Sequence, residues 1–215
     1  TEAQIVFDKL RRRNVVSWNT LITGYVEQGN YRRALECFQR MLCDGITPDD
    51  ITLLCCVKSC ANIGSARKGQ EIHSEIAKKG YEGGLLIGNT LIDMYSKCGS
   101  FHDAHNIFES FEHDLLTWNA IISAHSCQHA VMTIPALHFF HQMLQEGILP
   151  YMTCTFVNVI LGCANRKTLI EGKIVHALLV GSKKDSEMTV ETALLNMYGK
   201  CGYLEHAYMI FSGMP

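Results

Sequence analysis

Several groups of residues in this chain of 215 could carry chemistry. His73-Ser74-Glu75 matches the His-x-Glu half of a zinc deaminase signature, in which the histidine holds zinc and the glutamate moves protons. The other half, Pro-Cys-x-x-Cys, is missing: no Cys-x-x-Cys occurs anywhere, and the matching His176-Ala177-Leu178 lacks the glutamate. We read His73 as a packed helix residue and expect no enzyme activity. His125, His129, His138 and His141 stand at i, i+4 and i, i+3 spacings that could converge on a metal. Nothing repeats that arrangement elsewhere, so no metal or other cofactor is expected. Cys55, Cys56 and Cys60 read as packing rather than as ligands. Arg11, Arg12 and Arg13, with Arg32 and Arg33, could meet phosphate or could form a solvated turn, and both readings stay open. No phosphate-cradling glycine loop or nucleophile elbow is present; the 17 glycines are spread over turns.

The elements that would position such residues are helical. Hydrophobic residues make up 47% and charged residues 19%, which excludes a disordered chain. A net charge of −2 counts mildly against nucleic-acid binding, though a local basic stripe would suffice. The ten cysteines lie within helical patterns and show no closely spaced framework, so reduced, buried thiols in an intracellular compartment are expected. No stretch of about 18 apolar residues could span a membrane. The chain opens in mid-helix, so we expect the interior of a longer protein, with no signal or transit peptide in this part.

An internal repeat organises everything else. At an offset of 103 residues, Cys60-Ala61-Asn62 falls on Cys163-Ala164-Asn165, His73 on His176, and Lys97-Cys98-Gly99 on Lys200-Cys201-Gly202. At an offset of 100, Trp18-Asn19 falls on Trp118-Asn119. A two-residue insertion near His129 to Thr133, and one residue more near Tyr151, reconcile the offsets.

Each long unit divides into three, and each third reads as two amphipathic helices with a glycine or small-residue break. Residues 1–14 supply the second helix of an earlier unit. Units of 15–49, 50–84, 85–114, 115–152, 153–187 and 188–215 follow. Within them the pattern predicts helices around Thr52 to Asn62, Ala66 to Lys79, Ile87 to Cys98 and Phe101 to Phe111. One hairpin cannot bury both faces, so the expected fold is all-α: a right-handed α-solenoid of about six stacked helix-turn-helix hairpins plus a leading half-repeat.

The segments Val15-Val16-Ser17-Trp18-Asn19-Thr20-Leu21-Ile22 and Gly88-Asn89-Thr90-Leu91-Ile92-Asp93-Met94-Tyr95-Ser96-Lys97-Cys98-Gly99 resemble pentatricopeptide-repeat (PPR) motifs. They are most similar to the plant subclass that alternates standard, long and short motifs, named P, L and S. The order would be the tail of S, then P, L, S, P, L and S. The Trp-x-x-Leu-Gly-x-x-Tyr pattern of tetratricopeptide repeats is not seen.

That resemblance implies binding of single-stranded RNA in a plastid or mitochondrion, one base per repeat, with the chain N-terminus toward the RNA 5′ end. It further implies the recognition module of a C-to-U editing or RNA-processing factor. In the family the fifth residue of a repeat and its last residue choose the base, where an amide or hydroxyl can bond an unstacked Watson–Crick edge. Apolar first-helix residues, such as those just before the amide, would sandwich the base. Carried over, Asn19 with Asp49 and Asn89 with Asp114 would each take U. Asn119 would pair with Tyr151, or with Met152 because of the insertion, and suggests a pyrimidine. Thr192 suggests a purine. Asn14 would be the last residue of the incomplete first repeat. The L units offer Leu54 with Gly84 and Val157 with Glu187, whose fifth residues have no donor or acceptor. The implied target is 5′-U-n-U-Y-n-R-3′. A protein-binding scaffold is the competing expectation: in the family, multiple organellar RNA editing factor proteins bind around L units, and exposed repeat ends could self-associate.

Overall fold

The computed structural model describes residues 2–81, 83–126, 136–150, 152–181 and 187–214. Its described residues form thirteen α-helices and no strand, and they divide into two compact units, 1–112 and 113–215. The first unit holds α1 (Glu2–Asp8), α2 (Val15–Glu27), α3 (Tyr31–Cys43), α4 (Asp50–Ile63), α5 (Ala66–Lys78), α6 (Leu85–Lys97) and α7 (Phe101–Phe108). The second holds α8 (Leu115–Ser126), α9 (Ala136–Gln145), α10 (Thr153–Arg166), α11 (Leu169–Gly181), α12 (Met188–Lys200) and α13 (Leu204–Gly213).

Local chemistry sets the helix ends. Asn14 and Asp49 each cap the following helix: Ser17 N–H donates to Asn14 Oδ1 at 2.9 Å, and Thr52 N–H to Asp49 Oδ1 at 2.9 Å. In both, the third helical residue returns a hydroxyl to the cap N–H, which makes a capping box. At the other end, Gly29 has φ of 71°, and the N–H of Asn30 reaches back to Tyr25 O at 2.8 Å. This Schellman closure needs a left-handed residue, which glycine supplies without strain. The closure recurs at Gly99 and Gly202.

Packing follows the same logic in each unit. In the first, α4 lies against α2, α3, α5 and α6, and in the second α10 lies against α8, α9, α11 and α12. Trp18, Ile22, Met41, Leu53 and Ile76 are fully buried in one unit; Trp118, Ile122, Met143, Ile160 and Val175 are in the other. Glycine lets helices approach closely: a Cβ on Gly69 would lie 2.4 Å from Met94 Sδ, and one on Gly172 would lie 2.6 Å from Met197 Sδ, so each methionine would have to shift.

The structure departs from the sequence reading in one helix end. The helix expected to reach Phe111 stops at Phe108. The N–H and hydroxyl of Ser110 both turn back on Ile107 O, at 3.1 and 2.7 Å, and compete with helix continuation. The chain then lays Phe111 over Gly88, where a Cβ would fall 2.3 Å from the ring.

Candidate nucleic-acid interface

Asn19 lies on the second turn of α2, and Asp49 stands at the N-terminus of α4, the next first helix of the first unit. The packing of α2 on α4 brings them together. Asn19 Nδ2 donates to both Asp49 oxygens, Oδ1 at 2.9 Å and Oδ2 at 2.8 Å. Two oxygens of one carboxylate subtend far less than the angle between the two amide hydrogens. One N–H therefore serves both, and the other remains for a ligand. The single proton of the Thr52 hydroxyl is shared between Asn19 Oδ1 at 2.5 Å and Asp49 Oδ1 at 2.8 Å. Burial pushes the Asp49 carboxyl up, but the bonds from Thr52 N–H, the Asn19 amide and the Thr52 hydroxyl outweigh it. The carboxyl is held below its ordinary range, and the site keeps its negative charge.

The second unit repeats the geometry with one change. The Thr155 hydroxyl donates to Asn119 Oδ1, as Thr52 does to Asn19. Asn119 Nδ2, however, meets Met152 Sδ at 3.1 Å rather than a carboxylate. Met152 is the N-cap residue of α10, the place Asp49 holds on α4. Tyr151 lies outside the described residues. Asp114 accepts from Thr117 N–H at 2.7 Å and from the Thr117 hydroxyl at 2.8 Å, the same cap again. Asn89 is half-buried at the fifth position of α6. Asn14 is exposed at its cap, and Thr192 is exposed with its hydroxyl donating to Met188 O at 2.7 Å. In the units of 50–84 and 153–187, Leu54 and Val157 are half-buried, while Gly84 and Glu187 cap α6 and α12 without a side-chain bond.

Sequence reasoning misplaced the apolar residues that could stack on a base. Trp18 and Trp118, just before the amides, are 0% exposed: their rings fill the hairpin core, Trp18 at 4.5 Å from Phe7. The exposed apolar side chains stand three residues before the fifth position instead: Val16 (65%), Ile51 (52%), Leu86 (64%) and Leu116 (55%). A residue one turn back on a helix shares the face of the fifth residue. That recurrence at the second position of four of the six units was the signal to follow; Cys154 and Thr189 stand there in the other two.

The other candidates take structural roles. His73 Nδ1 lies 2.8 Å from the Tyr95 hydroxyl, and His176 repeats this with Tyr198 at 2.9 Å. Glu75 pairs with Lys78. His125 packs on Phe139, with ring centroids 4.8 Å apart, and His129 lies outside the described residues. Among the described residues no three His, Cys, Asp or Glu side chains gather as metal ligands. Burial pushes the thiol of Cys60 up to about 12 and that of Cys163 to about 11, as expected of packing residues. Arg13 pairs with Asp44 at 3.4 Å, whereas Arg32 and Arg33 are exposed and help line an open hollow of about 410 Å³.

Repeated helical hairpins define a helical-repeat protein, and comparison with known proteins narrows the class. Residues 13–62 match the PPR repeat family, and residues 89–114 and 192–215 match the PPR repeat. The chain is 31% identical over 216 residues to the pentatricopeptide repeat-containing protein At4g18520, chloroplastic, of Arabidopsis thaliana, covering 100% of this chain and 34% of that protein. It is 34% identical over 211 residues to At3g09040, mitochondrial, of the same plant, covering 98% of this chain and 20% of that protein. The chain thus spans about a third or less of the length of these two relatives. In fold it resembles the pentatricopeptide repeat protein PPR10 in complex with an 18-nt psaJ RNA element. The TM-score is 0.78 at 19% identity, over 98% of this chain and 31% of that one. The PPR10 structure from maize gives a TM-score of 0.73 at 17% identity, over 97% of this chain and 31% of that one. The chain therefore carries PPR repeats, has plant PPR relatives, and shares the all-helical repeat fold.

Proposed function

We propose that this chain binds single-stranded RNA with base selectivity, as the address-reading part of a plastid or mitochondrial RNA editing or processing factor. One observation carries the reading. A donor amide at the fifth position, held by a hydroxyl of the next first helix and flanked by an exposed apolar side chain one turn earlier, recurs in both units at Asn19 and Asn119. An apolar platform beside an oriented N–H is what an unstacked base needs: stacking on one side and an edge contact on the other. The fold shared with a PPR protein crystallised on RNA supports it.

In this reading Asn19 with Asp49 takes U. The repeat of 85–114 takes U through Asn89 and Asp114 on the repeat code alone. Asn119, with Met152 as its register partner, takes a pyrimidine; Thr192 takes a purine; Asn14 closes the preceding repeat. The L units are unread, which gives 5′-U-n-U-Y-n-R-3′. Anisotropy titration of the chain against that RNA, a scrambled oligomer and the same DNA tests the assignment. Asn19→Ala with Asn89→Ala is expected to lower affinity for the matched RNA by about tenfold or more, since each lost base contact removes about 1 kcal/mol or more. An unchanged affinity would refute the register.

A second reading, protein docking through an L unit, is favoured by α11. Its Ile170, Ile174 and Leu178 form an exposed apolar row, whereas the matching α5 residues are Arg67, Glu71 and Glu75. Both units fold the same hairpin, so the apolar row is not a requirement of the repeat. A protein partner of the editing-factor type, or a second copy, would cover it.

A further inference from the structure

The residue three places into the next repeat follows a rule that the fifth position sets. After the fifth-position amides Asn19, Asn89 and Asn119 come Thr52, Thr117 and Thr155, all hydroxyls. After the apolar fifth residues Leu54 and Val157 come Ile87 and Val190, both aliphatic and buried. Capping accounts for Thr52 and Thr117, whose hydroxyls accept from the N–H of Asp49 and Asp114, but not for Thr155, because Met152 caps α10 without a side-chain bond.

The structure shows what the hydroxyl adds. An asparagine amide can present either its carbonyl or its N–H₂ in a given direction, and the two orientations ask for opposite partners. The Thr52 hydroxyl shares its one proton between Asn19 Oδ1 and Asp49 Oδ1, whereas the Thr155 hydroxyl, with no carboxylate beside it, gives its proton to Asn119 Oδ1. Both threonines are fully buried, so water does not compete for that contact. The oxygen is thereby pointed at the next helix and Nδ2 away from it. In the first unit the Asp49 carboxylate, which only accepts, enforces the same orientation a second time. In the second unit the partner of Nδ2 is the Met152 thioether, a weak acceptor. There the hydroxyl is the main orienting contact.

We infer that Thr155 and Thr52 are positioning residues for base selection: each holds the reading amide with an N–H toward the base, so that an acceptor on the base edge is preferred. The reading site is then three residues, the fifth, the last and the third of the next repeat. This inference rests on the RNA-reading function proposed above.

The test measures a ratio rather than an affinity. The full chain is titrated with four RNAs that differ only at the base assigned to Asn119. Thr155→Val is expected to cut the pyrimidine-over-purine ratio about tenfold, with preferences at the other positions unchanged, because one charge-neutral orienting bond is lost. Thr52→Val is expected to cost only about two- to threefold at its own base, since Asp49 still orients the amide. Thr155→Ser restores the ratio, which a packing role would not require of a smaller side chain. A gain-of-function arm does not depend on how Thr155→Val folds: Leu54→Asn with Ile87→Thr acquires a base preference that Leu54→Asn alone lacks. Equal ratios for Thr155→Val and the unaltered chain, or equal behaviour of the single and double variants at 54 and 87, overturn the inference and leave the RNA reading intact. An unaltered chain with no base preference at any position overturns both.

Discussion

Replacing Asp49 by alanine removes two contacts at one stroke: the cap on α4 and the acceptor for Asn19 Nδ2. Loss of an aspartate cap costs about 1 kcal/mol. Loss of a hydrogen bond to a charged acceptor costs about 1.5 kcal/mol or more, less some recovery because Asp49 is only half-buried and water can reach Nδ2. The expected sum is about 2 kcal/mol for the first unit. Urea unfolding followed by helical circular dichroism would show it as an earlier midpoint at unchanged slope. The second unit supplies the reciprocal experiment, because Met152 already sits at the matching cap without a carboxylate. Met152→Asp is expected to gain about 1 kcal/mol by supplying that cap. The pH dependence has a definite sign. A carboxyl held below its ordinary value stabilises fully above that value, near 3.9, and the contribution fades as pH falls through the folded value. The gap between Asp49→Ala and the unaltered chain is therefore expected to be constant from neutral pH down to about 5 and to close in more acid solution. A loss below about 0.3 kcal/mol at pH 7, or a gap that widens on acidification, would refute the account of the Asn19–Asp49–Thr52 cluster.

Other perturbations test the packing and the surface. Gly69→Val is expected to cost about 2 kcal/mol or more, because its Cβ would meet Met94 Sδ at 2.4 Å; chemical denaturation measures this. Lys167 has φ of 57° where the matching residue is Gly64, so Lys167→Gly is expected to raise stability by about 0.5–1 kcal/mol in the same assay. Ile170→Glu with Ile174→Glu is expected to lower concentration-dependent association in sedimentation velocity while leaving helix content unchanged, since both side chains are more than half exposed. Arg32→Ala with Arg33→Ala distinguishes the two roles left open for this pair. If both meet phosphate, the slope of log affinity against log salt falls by about 1.4 for single-stranded RNA; an unchanged slope assigns them to a solvated turn.

Much of the hairpin array was legible because its signals are local. Glycine at a helix end, proline past it and an apolar stripe at i, i+3, i+4 do not depend on distant contacts, so the helix pairs emerged with their order intact. The end of α7 did not, because Ser110 and Phe111 carry a helical pattern while the serine's own backbone contacts stop the helix. The fifth-position amides were legible from recurrence. What they touch was not: the hydroxyl of Thr52 is thirty-three residues from Asn19, and only the packing of α4 on α2 brings it within 2.5 Å. The insertion near Tyr151 blurred the register of the unit 115–152, where Met152 stands as the N-cap residue of α10 and Tyr151 lies outside the described residues. Trp18 misled for a different reason. Adjacent residues on a helix face some 100° apart, so the neighbour of a groove residue turns into the core.

The most direct test of the central claim is competition at moderate salt between a labelled 5′-U-n-U-Y-n-R-3′ RNA and unlabelled RNAs altered one base at a time. If the chain reads bases in that register, each change at the two U positions or at Y weakens competition about fivefold or more, and changes at either n have no effect. Uniform competition by all of the RNAs, or none by any, from a chain whose helical spectrum is intact would contradict it.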